Sequence, residues 1–147
     1  MTSVEKFRKK MGFKEPWIGV DLDGVLAKAE PMIFSYDEIG APISPMVRRV
    51  RGWINKGYRV KIFTARVEGG NDAILTVVLW LWRNGLGGLE ITNIKDSGMV
   101  ELWDDLAVNV PINSGKPKDY YKNWKARRSW ACTEKNGMKR RRRGVTS

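Results

Sequence analysis

The sequence predicts an α/β protein with a central parallel sheet, and three observations carry that prediction. Four short apolar stretches, residues 17–20, 58–63, 89–94 and 99–103, have the length of buried strands. Amphipathic stretches of helical period lie between the first and the third of them. Each strand ends on polar residues, as expected where a parallel sheet gathers its functional groups at the carboxyl edge.

Val4, Phe7 and Met11 have helical spacing in a polar, basic stretch, so residues 1–16 read as an extension that either packs, as a short docked helix, or frays. Pro16 precedes the first strand, Trp17, Ile18, Gly19 and Val20, which is apolar at every position and so reads as buried on both faces. Residues 26–43 have no clear period and are punctuated by Pro31, Gly40 and Pro42, which predicts a loop or small hairpin. Met32, Ile33, Phe34 and Tyr36 either pack over a pocket mouth or tuck into the body.

Ser44 as cap and Pro45 at the first helical position start a helix. Met46, Val47, Val50, Trp53 and Ile54 form its apolar face, and Gly57 closes it. Arg48, Arg49 and Arg51 fall mostly elsewhere, as a solvated face or a polyanion contact. After the strand at 58–63, Asn71 caps a second helix. Its buried stripe is read as Ile74, Leu75, Val78, Leu79, Leu81 and Trp82, with Gly85 at the end. Val77 and Trp80 make this helix apolar almost all round, so it is either covered on two sides or presents an association surface. Strands at 89–94 and 99–103 follow, with a short fifth at 107–110.

The chain has 147 residues, a length that defaults to one domain. No apolar run is long enough to cross a bilayer, and no apolar core follows the charges of the first ten residues, so neither membrane insertion nor a secretory leader is expected. The single cysteine, Cys132, has no intrachain partner, which points to a reducing, cytoplasmic compartment. Histidine is absent, which excludes Ser-His and Cys-His catalytic pairs and histidine-ligated zinc. Carboxylates remain as the principal acid–base groups.

The formal charge of +11 is uneven. Twelve of the 27 basic residues and two of the 16 acidic ones lie at 116–147, a net of +10 against +1 for the remainder. The chain therefore divides into a nearly neutral body, residues 1–115, and a basic tail, residues 116–147. Lys139, Arg140, Arg141, Arg142 and Arg143 form an unbroken cationic run. Upstream, Lys122, Lys125, Arg127 and Arg128 interleave with Tyr120, Tyr121, Trp124 and Trp130. Cations beside aromatic rings suit single-stranded nucleic acid, and a solvated tail or an address signal is the alternative.

Polar groups stand at four successive strand ends: Asp21 with Asp23, Thr64, Lys95, and Asp104 with Asp105. Residues two apart in extended chain project to one side, roughly 6 to 7 Å apart. Asp21 and Asp23 can thus face one reaction centre, with Gly24 allowing a sharp turn beside it. The set offers what phosphoryl transfer needs: a nucleophile, a proton donor, a hydroxyl, a cation and an oxygen-rich metal site.

Asp21-Leu22-Asp23-Gly24-Val25 resembles the first motif of the haloacid-dehalogenase-like phosphohydrolases, and Thr64, Lys95 and Asp104-Asp105 resemble the second, third and fourth, in order. The resemblance covers roughly residues 17–110. The stretch 91–110 is most similar to small phage and bacterial members, with the phosphatase half of polynucleotide kinases as a related comparison. It implies a three-layer, Rossmann-like sheet fold. It also implies Asp21 as the nucleophile that becomes an aspartyl phosphate, and Asp23 as the acid that protonates the leaving oxygen and then activates water. Thr64, with Ala65 and Leu22 N–H groups nearby, would hold phosphate oxygens, and Lys95 would neutralise the phosphoryl group. Asp21, Asp104, Asp105 and the backbone carbonyl of Asp23 would hold Mg²⁺.

Arg66 is expected either to clamp substrate phosphate or to pair with Glu68 or Asp96. Asp96 itself is read as either support for the site or an ordinary loop acid. Only 43 positions separate Asp21 from Thr64, and 31 separate Thr64 from Lys95. Strands and helices consume both intervals, so no large cap domain is expected. An open site suits a bulky phosphorylated substrate, unless a second subunit of a homo-oligomer supplies the lid. The expectation is a Mg²⁺-dependent phosphomonoesterase acting on a nucleotide or nucleic-acid terminal phosphate. The alternatives are a small-metabolite phosphatase and a non-catalytic nucleic-acid-binding accessory protein.

Overall fold

The computed structural model describes residues 1–29, 35–118, 127–128 and 131–132. Met32, Ile33 and Phe34, and the tail positions Tyr120, Tyr121, Trp124, Trp130 and 139–143, lie outside the described residues. The chain divides into two compact units, Met1–Leu106 and Ala107–Ser147. Among the described residues, no helix is long and apolar enough to cross a membrane.

The first unit is an α/β fold. Four parallel strands, β1 (Trp17–Val20), β2 (Val60–Phe63), β3 (Glu90–Thr92) and β4 (Met99–Trp103), lie in the order β3-β2-β1-β4. The helices are α1 (Ser3–Lys10), α2 (Ser44–Asn55) and α3 (Asn71–Arg83), with a 3-10 turn at Ala65–Gly69. The chain builds outward from β1 to β2 to β3, then returns to the other side of β1 as β4. This reversal makes the carboxyl ends of β1 and β4 the switch point of the sheet, the place where open α/β sheets bind ligands.

β1 is buried at all four positions because both of its faces are used. Ile18 and Val20, with Val60 and Ile62 of β2, share a hydrophobic core with Met46, Val47 and Val50 of α2 and Val77, Trp80 and Leu81 of α3. On the opposite side Gly19 stands where a Cβ would come within 3.1 to 3.2 Å of Trp17, Leu102 and Met99. The return from β3 to β4 takes six residues, 93–98, and contains no helix. The described helices thus supply one covering layer; α1 buries no residue.

Several local expectations need correction. α1 forms through a capping box, in which the Thr2 hydroxyl accepts from the Glu5 N–H at 3.2 Å and the Glu5 carboxylate accepts from the Thr2 N–H. It is not docked through its apolar residues: Val4, Phe7 and Met11 are exposed, and Arg8 holds it by donating to the Ser97 carbonyl at 2.8 Å. α2 has Ile43 at its cap and Ser44 already inside the helix, so no side chain caps it, and α3 likewise starts from Gly70 with Asn71 inside. β3 is shorter than expected because Thr92 Oγ1 takes the Ile94 N–H at 3.1 Å, diverting it from the ladder. Residues 107–110 form no strand.

The buried face of α3 is Ala73, Val77, Trp80 and Leu81, so Leu75, Leu79 and Trp82 face outward rather than into the core. Apolar residues almost all round leave the period unable to fix the rotation. Polar and steric contacts fix it instead. The Trp80 indole N–H donates to the Gly40 carbonyl at 2.9 Å, and Ala73 fits against Gly69, where a Cβ would approach to 2.7 Å. Residues 24–43 include a small antiparallel pairing, with Lys28 N–H donating to Ala41 at 2.8 Å and Ile43 N–H to Leu26 at 2.7 Å.

Candidate metal and phosphoryl-transfer site

β1 runs one residue past its formal end, since the Asp21 N–H donates to the Trp103 carbonyl at 2.9 Å. That bond brings the carboxyl ends of β1 and β4 side by side and sets Asp21 next to Asp104 and Asp105. The chain then turns at once: Val25, Leu26 and Ala27 N–H groups all donate to the Leu22 carbonyl. Gly24 lies in this turn at φ +85°, and a Cβ there would stand 2.8 Å from Asp105 Oδ2. Glycine is needed here twice over, for the left-handed backbone and for the close approach of a carboxylate.

Oxygens of Asp21, Asp104 and Asp105 all lie within 4.8 Å of one another, and the first two residues are half-buried. Asp104 is oriented by accepting from the Leu106 N–H at 2.7 Å. Three like charges this close oppose one another. Burial, then the Asp104 charge and a hydrogen bond with Asp105, push the Asp21 carboxyl up to about 8. The Leu22 N–H, donating to Asp21 Oδ1 at 2.8 Å, opposes that shift without overcoming it. The cluster therefore needs either a proton or a cation. Its donors are all hard oxygens, which fit a cation such as Mg²⁺ or Ca²⁺.

Asp23 follows on the same turn but has a different environment. Arg66 donates to both of its oxygens, Nε to Oδ2 at 2.7 Å and Nη2 to Oδ1 at 2.8 Å. The same guanidinium donates to the Ser35 carbonyl at 2.8 Å and to the Glu38 carbonyl at 2.9 Å. Arg66 is 3% exposed, so this is a buried clamp joining Asp23 to the 35–38 segment. The expected partners Glu68 and Asp96 are engaged elsewhere. Glu68 accepts from the Tyr36 hydroxyl at 3.0 Å. Asp96 lies at the start of β1, accepting from Trp17 Nε1 and the Gly98 N–H, each at 2.8 Å, with Lys14 at 3.4 Å. It is a loop acid that fastens the β3–β4 return, remote from the carboxyl edge.

Thr64 is buried, and its Oγ1 accepts from the Arg66 N–H at 3.2 Å, capping the 3-10 turn. Its hydroxyl hydrogen is what it can offer an oxyanion. Ala65 is exposed beside it. The Leu22 N–H serves Asp21 rather than a phosphate oxygen. Lys95 is exposed on the return after β3, and among the described residues no hydrogen bond or ion pair joins it to the carboxylates. The structure thus brings together Asp21, Asp104 and Asp105, seats Asp23 on Arg66, and leaves Lys95 apart.

The Asp23–Arg66 pairing went unread in the sequence because the two lie 43 positions apart. The signal available was that a residue two beyond a strand-end threonine returns over the same carboxyl edge. No protein-family model, no curated protein and no solved structure matches this chain.

Proposed function

We propose that this chain is a Mg²⁺-dependent phosphomonoesterase of the haloacid-dehalogenase-like kind, built on a capless, Rossmann-like parallel sheet with α2 and α3 on one face rather than the three layers the resemblance implies. The observation that carries the reading is the three-carboxylate cluster at the carboxyl ends of β1 and β4, with a fourth carboxylate, Asp23, two residues from the first. Asp21, Asp104 and Asp105 would hold the metal, with the Asp23 carbonyl as a further oxygen. Bound there, Mg²⁺ would supply the positive charge that lets an anionic nucleophile meet an anionic substrate.

The chain's own groups account for the steps. Asp21 Oδ attacks phosphorus and the ester P–O bond breaks, leaving an aspartyl phosphate and an alkoxide. Asp23 gives its proton to that alkoxide. It then takes a proton from water, whose oxygen attacks phosphorus, releasing phosphate and restoring Asp21. A proton on Asp23 must displace one of the Arg66 donors, so Arg66 loosens its grip in the acid half of the cycle and restores it in the base half. Thr64 donates to a phosphate oxygen, with Ala65 lining the approach. Lys95, exposed on the return after β3, is the cation that neutralises the phosphoryl group.

The substrate is a nucleotide or a nucleic-acid terminal phosphate, on the strength of the capless site and the +10 tail. A hydrolysis screen across nucleotides, sugar phosphates and 3′- or 5′-phosphorylated oligonucleotides, with Mg²⁺ or chelator, tests this reading. Hydrolysis that needs Mg²⁺ and is lost in Asp21→Asn supports it; a parent chain inactive on every class counts against it. The second reading is a non-catalytic nucleic-acid-binding protein with a structural metal site. The clamp on both Asp23 oxygens favours that alternative.

A further inference from the structure

The outward face of α3 is the strongest feature of the molecule that the proposed chemistry does not use. Leu75, Leu79 and Trp82 are 54%, 45% and 66% exposed. At 100° per residue they fall within about 60° of one another, a single stripe about 10 Å long. Trp82 is not loose. A Cβ at Gly87 would stand 2.4 to 2.7 Å from its indole ring, so the ring rests on bare backbone with its outer face open. A large aromatic ring fixed before binding is the usual anchor of a protein interface, because little rotamer freedom remains to be lost.

The charges at the two ends of the stripe indicate the partner. Asp72 lies in the first turn of α3 and Arg83 in the last, both exposed. They are eleven residues apart, three turns plus about 20°, and so lie on the same flank of the stripe. A two-fold axis perpendicular to the helix keeps each flank on its own side while reversing direction. With the axis between Val78 and Leu79, Leu75 meets Trp82 of the second copy and Asp72 comes within about 3 Å, measured along the helix, of Arg83 of the second copy. The antiparallel helix dipoles also favour this pairing. Sequence, rotation and charge are all self-complementary.

We propose that α3 is the two-fold contact of a homodimer, packed antiparallel on α3 of a second copy through Leu75, Leu79 and Trp82 with Asp72–Arg83 pairs at both ends. Sedimentation equilibrium on the full chain tests it, with circular dichroism to check the fold of each variant. The parent should show about twice its 16.8 kDa mass at high concentration and dissociate on dilution. Leu79→Glu puts a charge on both sides of the axis and should raise the dissociation constant about a hundredfold or more, with the fold unchanged.

Asp72→Arg and Arg83→Asp should each weaken the dimer about tenfold, and the double swap should restore most of the loss. A monomeric parent at all concentrations overturns the proposal, because the stripe is then covered within the chain or left bare. Dissociation by Leu79→Glu without rescue by the charge swap also overturns it, since another surface, such as the exposed Val4, Phe7 and Met11 of α1, would then meet the stripe.

Discussion

Asp21→Asn should stabilise the metal-free protein while abolishing its turnover. In the fold the Asp21 carboxyl is pushed up to about 8 by burial and by Asp104, against an ordinary value of 3.8. Between these values the folded chain keeps a proton that the unfolded chain releases. Stability is therefore full below about pH 4 and falls as pH rises towards 8. Three units of that window, up to about pH 7, would amount to ~4 kcal/mol. Asp21 is only half-buried, so solvent screening reduces this to ~1–2 kcal/mol. The amide can still accept from the Leu22 N–H. In chelator-treated buffer at about pH 7 the variant should melt ~3–6 °C above the parent. Below about pH 4 the difference should vanish. Saturating Mg²⁺ should reverse the order, raising the parent by linkage and leaving the variant nearly unmoved. A variant that melts at or below the parent in metal-free buffer refutes the electrostatic reasoning, as does a parent whose melting temperature is flat from pH 4 to 8.

Three further outcomes are expected. Arg66→Gln should cost ~2–4 kcal/mol by removing a buried donor from Asp23 and from the Ser35 and Glu38 carbonyls, and Arg66→Lys should rescue little because one ammonium cannot span both carboxylate oxygens; chemical denaturation checks both. Gly24→Ala should cost ~1–3 kcal/mol for its φ of +85° and displace Asp105, so calorimetric titration should show weaker Mg²⁺ binding than in the parent. Ending the chain after Asn136 removes the run at 139–143. That cut should leave aryl phosphate hydrolysis intact, weaken single-stranded oligonucleotide binding and flatten its salt dependence; unchanged oligonucleotide affinity would remove the tail from recognition.

The sheet was legible where both faces are buried. Trp17 to Val20 could only be an interior strand, and the polar residues after it could only stand at its end. The juxtaposition of Asp21 with Asp104 and Asp105 followed from parallel strands sharing one carboxyl edge. What the sequence did not show depended on choices made in three dimensions. The rotation of α3 was set by the Trp80 indole reaching the Gly40 carbonyl, a contact across 40 positions. The side-chain caps assigned to Ser44 and Asn71 failed because the backbone carbonyls of Ile43 and Gly70, one residue earlier, start those helices. The role of Arg66 depended on the turn at Asp23 and the 35–38 segment converging on one guanidinium, which no local pattern encodes. Lys95 has the right place in chain order, yet it is exposed on the return after β3 and, among the described residues, makes no ion pair with the carboxylates.

The most direct measurement of the central claim is trapping of the covalent intermediate. The full chain, mixed with Mg²⁺ and a reactive aryl phosphate and quenched in acid within one turnover, should carry a phosphoryl group on the peptide that contains Asp21. Treatment with hydroxylamine should remove it, and Asp21→Asn should show none. Turnover of the substrate with no phosphorylated Asp21 peptide, or with the phosphoryl group on another residue, would contradict the account.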